Sequence, residues 1–221
     1  MQPTAEQVNA GQAVYSRRTL SLYDLVVLGI SNRYFWRCPT EKIANLYSRH
    51  LSVNHLDVGV GSGYFLDRCP FPSARPRVVL MDLNPNSLAF TANRIERYQP
   101  QTCLQNILEP IADDLGAFDS VAVNYLLHCL PGSMVEKAVV FEHLLPLMNP
   151  GAVLFGATIL QGDTSQSWLA KRLMTFYNRK GIFSNRCDDL AALEKALVRH
   201  FVQVDIQVVG CVALFSGYAG S

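Results

Sequence analysis

Apolar and polar positions fall along this chain in two textures. Short, nearly uninterrupted apolar runs recur between longer stretches in which apolar residues return every third or fourth position. The first texture belongs to strands buried on both faces, the second to amphipathic helices. His55–Val60, Arg77–Asp82, Thr102–Ile107, Phe118–Tyr125 and Ala152–Leu160 read as strands. Helices are expected over Leu20–Ile30, from Thr40 onward with Ile43, Leu46, Tyr47 and Leu51 on one face, and over Tyr64–Cys69, Pro85–Tyr98, Ser133–Met148, Ser165–Lys180 and Asp188–His200. Thr40 reads as a cap, and Asn84-Pro85 as a cap followed by proline at the first helical position. Within Ser133–Met148 the apolar stripe is Val135, Ala138, Val139 and Leu145. Asp188 or Asp189 falls near the positive end of the last helix. Two β-rich runs, Phe201–Val209 and Cys211–Tyr218, meet at Gly210 as a closing hairpin.

Strand–helix alternation that ends in a hairpin predicts a doubly wound, mainly parallel α/β sheet with one antiparallel strand near an edge. No repeat, low-complexity tract or linker interrupts the 221 residues. One domain is expected, with a helical preface over residues 1–52 and the sheet core over 53–221.

Composition narrows the classes. With 49% hydrophobic and 17% charged residues the chain is globular. A formal net charge of +1, with no Lys or Arg run longer than a pair, argues against a nucleic-acid partner. No apolar run reaches membrane-spanning length, so no membrane partner is expected. Arg17-Arg18 ahead of Leu20–Ile30 has the look of a twin-arginine export signal. Asp24 interrupts that run, however, and Ser31-Asn32-Arg33 offers no small-residue cleavage site, so a buried helix is expected instead. Cys38, Cys69, Cys103, Cys129, Cys187 and Cys211 form no Cys-x-x-Cys pair and read as reduced thiols of a cytoplasmic protein.

The first strand runs into Asp57-Val58-Gly59-Val60-Gly61-Ser62-Gly63, three glycines in five positions. Glycine takes positive φ and carries no Cβ, so such a turn lets the backbone press against a ligand. A strand, a glycine turn and a helix in succession make the nucleotide-binding corner of an α/β sheet. Asp82 closes the second strand roughly twenty residues after the glycines, where a carboxylate takes both ribose hydroxyls.

The acidic residue followed by x-Gly-x-Gly-x-Gly resembles motif I of the class I S-adenosylmethionine-dependent methyltransferases. In element order the resemblance runs from Thr40 to the C-terminus, terminal hairpin included. It implies a Rossmann-like seven-stranded sheet of order 3-2-1-4-5-7-6, strand 7 antiparallel, beneath an N-terminal helical cap. It also implies S-adenosyl-L-methionine as cofactor and S-adenosyl-L-homocysteine as product. Gly59, Gly61 and Gly63 would then pass under the cofactor's amino-acid tail. Asp57 would take its ammonium, Asp82 with Leu83 the ribose, Asn106 with Ile107 the adenine, and the Asn124 carbonyl the ammonium again. Asn106 stands where aspartate is commoner, keeping the carbonyl acceptor without the charge. Tyr23 and Trp36, with Arg33 and Tyr34, precede motif I where related enzymes fold the cap over the cofactor. Aromatic faces suit a sulfonium cation, and the same cluster also reads as core.

Asn124-Tyr125-Leu126-Leu127-His128 follows the fourth strand at the edge where such folds hold reacting groups. If the acceptor must lose a proton, His128 is the candidate base by its pKa range; packing over the cofactor is the other reading. The prolines of the Asn-Pro-Pro-Tyr motif are absent, which disfavours adenine or glutamine methylation. Asn124 stands where a magnesium-binding carboxylate would be expected, so no metal is expected. The resemblance thus points to a small, apolar or aromatic organic acceptor. The helix bearing Trp168, Met174, Phe176 and Tyr177 would wall its pocket or meet a second copy in a homodimer. Two other readings stand beside this one. The first is a catalytically silent S-adenosylmethionine-binding sensor or partner protein. The second is an NAD-dependent dehydrogenase, disfavoured because its third glycine would fall at Tyr64.

Overall fold

The computed structural model describes residues 31–111, 115–161 and 167–220. Tyr23 and the expected helix Leu20–Ile30 lie outside them. After a π-type turn over residues 31–35, the order is α1 (Thr40–His50), β1 (Asn54–Val58), α2 (Tyr64–Arg68), β2 (Arg77–Asp82), α3 (Pro85–Arg94), β3 (Gln101–Leu104) and β4 (Phe118–Asn124). There follow α4 (Met134–Lys137), α5 (Val139–Leu144), β5 (Met148–Ile159), α6 (Trp168–Arg179), α7 (Leu190–His200), β6 (Val202–Val209) and β7 (Val212–Tyr218).

Among the described residues seven strands form one sheet in the order β3-β2-β1-β4-β5-β7-β6. The first five pair in parallel, and β7 runs antiparallel to both of its neighbours. Side chains alternate between the faces. Val78, Leu80, Ala122 and Phe155 pack with Ile43 and Tyr47 of α1 on one side. Leu56, Val58, Val79 and Val121 pack with Phe141, Leu144 and Leu197 on the other. The chain lays β1 to β3 outward, then returns to set β4 beside β1. A crevice opens at the carboxyl ends of β1 and β4, where the connections depart in opposite directions.

Several elements differ from their sequence reading. Thr40 does not cap α1: Pro39 holds the cap position, and the Thr40 hydroxyl accepts from Asn32 Nδ2 at 3.1 Å. Strand β3 ends at Leu104, which leaves Asn106 and Ile107 in the loop beyond it. The helix expected over Ser133–Met148 is broken into α4, α5 and a 3₁₀ turn at Leu145–Leu147, and β5 already begins at Met148. Ser133 and Glu136 close a capping box on α4, and Ala138 ends one helix and starts the next. The break rotates the buried face onto Met134, Lys137, Val140, Phe141 and Leu144, and leaves Val135 72% exposed.

Asp189 caps α7 by accepting from Ala192 N at 2.7 Å. Asp188 turns inward instead and meets Lys137 Nζ at 2.6 Å, with both side chains fully buried. Lys137 Nζ also donates to the Ser184 carbonyl at 2.7 Å. Burial pushes the Asp188 carboxyl up to about 6 and the Lys137 ammonium down from its usual range, each against the pull of its partner. Removing one charge strands the other in the core. Lys137→Met is therefore expected to lower unfolding free energy by about 3–5 kcal/mol, and Lys137→Met/Asp188→Leu to recover most of it. Urea titrations of the three proteins check this.

Candidate active site

The glycine turn is built by backbone bonds and braced from behind. Gly59 N donates to Met81 O at 2.8 Å, and Gly63 N to Val60 O at 2.9 Å. From α3, Thr91 Oγ1 donates to Gly61 O at 3.2 Å and Arg94 Nη1 to Ser62 O at 3.1 Å. Asp67 of α2 holds Arg94 Nε at 3.2 Å. All three glycines have positive φ, of 74°, 53° and 69°, yet their surroundings differ. A Cβ at Gly59 would lie 2.9 Å from Leu126 Cδ1, and one at Gly63 2.6 Å from Thr91 Cγ2. At Gly61 it would meet nothing within 4 Å. Gly59 and Gly63 thus serve internal packing, and Gly61 keeps backbone open to the cleft.

Asp57 stands one residue before the end of β1, 3% exposed. Its Oδ2 accepts from the Tyr47 phenol at 2.9 Å, and His55 Nε2 lies 3.5 Å from the same oxygen. His55 Nδ1 in turn meets Ser120 Oγ at 2.8 Å. Burial first, then the charge of Asp57, raises the Tyr47 phenol well above its usual range, so it remains a donor. Asp82 ends β2, where its Oδ1 accepts from Asn84 N at 2.8 Å. Burial pushes the Asp82 carboxyl up to about 6; amides of Asn84, Gly61 and Val60 pull it down, and the Asp57 charge adds to the rise. Asn84 caps α3 by accepting from Asn86 N at 2.9 Å.

Asp57, Gly59, Gly61, Gly63, Asp82, Leu83, Asn106, Ile107 and Asn124 all line one cleft of about 1130 Å³, part of it open to solvent. Tyr47, Tyr64, Gln105, Leu108, Tyr125, Leu126, Leu130 and Pro131 complete its walls. Asn124 Oδ1 is buried there with no hydrogen-bond partner among the described residues. A buried acceptor of this kind fits a donor on a ligand. The Asn106 amide organises its own loop: Oδ1 accepts from Leu108 N at 3.1 Å, and Nδ2 donates to Glu109 Oε1 at 2.9 Å. Among the described residues no group of three His, Cys, Asp or Glu side chains is placed to hold a metal ion.

Two expected site residues do not join this group. Trp36 is 1% exposed and packs on Phe183 with ring centroids 5.8 Å apart, as a core residue outside the cleft lining. His128 also lies outside the lining, 3% exposed in a 3₁₀ turn. Its Nδ1 accepts from Ile159 N at 3.3 Å, which puts the proton of the neutral ring on Nε2. Burial, aided by the Lys137 charge, lowers its pKa to about 3. A ring so placed is a poor proton acceptor, and the base role expected of His128 does not fit this geometry. Conversely, sequence reasoning missed Tyr47 and His55 as supports of Asp57. His55 carried a signal: two residues before Asp57 on a strand, it must point to the same face. Tyr47 carried none beyond its place on the apolar stripe of α1.

The sheet order, the glycine turn and the strand-end carboxylates define a Rossmann-like nucleotide-binding enzyme of the methyltransferase type. A family model described as "Methyltransferase domain" matches residues 56–154. The chain is 39% identical over 213 residues to demethylluteothin O-methyltransferase of Streptomyces thioluteus, covering 96% of this chain and 93% of that one. It is 35% identical over 215 residues to the physcion biosynthesis cluster O-methyltransferase of Aspergillus chevalieri, covering 96% of each. N-methyltransferase NodS from Bradyrhizobium japonicum WM9, solved with S-adenosyl-L-homocysteine, shares the fold with a TM-score of 0.61 at 13% identity, over 92% of this chain and 97% of that one. The chain belongs to the class I S-adenosylmethionine-dependent methyltransferases. It is an enzyme whose cofactor is S-adenosyl-L-methionine, and the open cradle at Gly61 and the orphaned Asn124 oxygen fit that molecule.

Hydroxyls that donate to Asp82 favour its ionised form, so binding a ribose there releases the proton the empty site holds below about 6. With the ribose at Asp82, affinity for S-adenosylhomocysteine is expected to be full above that value and to fall as pH drops through it. Calorimetric titration at about pH 7.5 and about pH 5.5 reads the difference. Asp82→Asn is expected to flatten the profile and to weaken binding by roughly 100-fold, the loss of charge-assisted bonds. Gly61→Ala is expected to cost the empty protein only about 1–2 kcal/mol for its left-handed backbone, while reducing the same affinity by more than roughly ten-fold. Thermal melts beside the titration separate the two effects.

Proposed function

We propose that this enzyme methylates a hydroxyl oxygen of a small, apolar or aromatic acceptor. The observation that carries the reading is near full-length similarity to two enzymes named as O-methyltransferases of small-molecule biosynthesis. The cleft supports it: beyond Asn124 its wall continues as Tyr125, Leu126, Leu130 and Pro131, an apolar surface against which a ring can lie. In this reading Gly59, Gly61 and Gly63 carry the cofactor's amino-acid tail, with Asp57 and Asn124 facing its ammonium. Asp82 and Leu83 hold the ribose, and the Asn106–Ile107 loop borders the adenine. Bound there, S-adenosylmethionine supplies an electrophilic methyl group. The chain's own part is to orient the acceptor oxygen in line with that methyl and to exclude water, and alignment of this kind is a large share of the barrier. None of the six cysteines is disulfide-bonded, which supports a reducing, cytoplasmic setting. No helix among the described residues is long and apolar enough to cross a membrane.

The test is methyl transfer from labelled S-adenosylmethionine to a panel of phenols and enols, run beside amines, thiols and total protein and RNA. Label on a hydroxyl oxygen of an apolar ring compound is the expected result. Label confined to amines, thiols or macromolecules overturns the reading.

A further inference from the structure

The backbone leaves β4 through an elbow that glycine does not make. Tyr125, next after Asn124, has a φ of 56°, a left-handed conformation rare for an aromatic residue. Strained positions persist where their surroundings over-determine them, and they cluster at functional sites. Here the elbow sets two neighbours. Before it stands Asn124, with its buried unpartnered Oδ1. After it Leu126 lies against the glycine turn, three of its atoms within 3.1 Å of where a Gly59 Cβ would be.

Two bonds hold Tyr125 at opposite ends. Its N–H donates to Ala157 O of β5 at 2.7 Å. Its phenol donates to Asn32 Oδ1 at 2.8 Å, a buried bond across 93 residues of chain. Asn32 is itself fully buried and has no freedom to turn. Its Nδ2 donates to Thr40 Oγ1 at 3.1 Å, and its carbonyl accepts from Cys38 N at 2.8 Å. With Nδ2 directed to Thr40, Oδ1 must face the phenol.

We infer that Asn32 and Tyr125 are a positioning pair for the cofactor site: their hydrogen bond holds the left-handed elbow that presents Asn124 and Leu126 to the cleft. The pair also ties the segment ahead of α1 to that site. Neither residue need touch the reacting atoms for this.

The experiment is calorimetric titration with S-adenosylhomocysteine, paired with thermal melts, on Tyr125→Phe, Asn32→Leu, their double substitution and Leu197→Ala. Leu197 is a fully buried residue of α7 outside the cleft lining and controls for general loss of stability. Each single substitution at the pair is expected to raise Kd by roughly ten-fold, and the double no further than Asn32→Leu alone, since the Asn32–Tyr125 bond is lost in all three and Asn32→Leu also loses its bond to Thr40. Leu197→Ala is expected to lower Tm with Kd unchanged. An unchanged Kd for Tyr125→Phe, multiplied effects in the double, or an equal rise in Kd for Leu197→Ala would overturn the inference. Tyr125→Phe removes a single oxygen and carries the test alone should Asn32→Leu not fold. The readout needs no acceptor, so it stands apart from the identity of the methylated molecule.

Discussion

Two carboxylates stand at or next to the ends of adjacent strands inside the protein, and the cleft is organised by what their charges require. Asp57 and Asp82 draw most of their hydrogen bonds from neutral donors, the Tyr47 phenol and the amides of the glycine turn and of Asn84. Burial disfavours the ionised form of Asp82, and the neighbouring Asp57 charge adds to that cost. The parallel pairing of β1 with β2 sets the spacing, with Val58 opposite Met81. A ligand that brings positive charge and hydroxyl donors relieves this arrangement. S-adenosylmethionine carries both, a sulfonium with an ammonium and a ribose.

Relief of that kind helps only if the cleft holds its shape when empty. Bracing comes from side chains packed behind the glycine turn and around the Tyr47 ring. Thr91 and Arg94 of α3 take the carbonyls of the glycine turn, and Asp67 of α2 takes Arg94. Phe155 of β5 and Phe65 of α2 pack on the Tyr47 ring, at centroid distances of 5.1 and 5.0 Å, and so fix the phenol that feeds Asp57. The site is thus presented by strands and a helix rather than by loops alone.

The parts that were legible in the sequence are those where local chemistry and tertiary demand coincide. Glycines at left-handed positions, a carboxylate at or next to the end of each strand and Asn84-Pro85 opening a helix each admit few alternatives. So do apolar runs without alternation, which mark strands covered on both faces. The illegible parts are those where tertiary contacts override local pattern. The broken helix after Ser133 turns Lys137 inward because Asp188 awaits it, and no spacing links residues 51 positions apart. Trp36 belongs to an aromatic cluster with Phe183 in the core, although its position ahead of motif I suggested the cofactor. The third strand stops short because Asn106 uses its amide to turn the chain at once.

His128 shows how a residue type misleads when its surroundings are unseen. Its pKa range and its place after β4 suit a base, yet each part of the residue is committed to structure. The carbonyl accepts from Ser184 N at 2.8 Å, Nδ1 accepts from Ile159 N, and the ring meets Phe183 edge-on at 4.6 Å. The turn after β4, the last residue of β5 and the segment before α7 thus meet at this one residue. Burial first and the Lys137 charge second hold its pKa down to about 3, which favours the neutral ring. A titrating histidine at that junction would gain a buried proton beside Lys137 and loosen all three segments together. Buried and neutral, His128 ties the turn after β4 to the end of β5 and to the segment before α7.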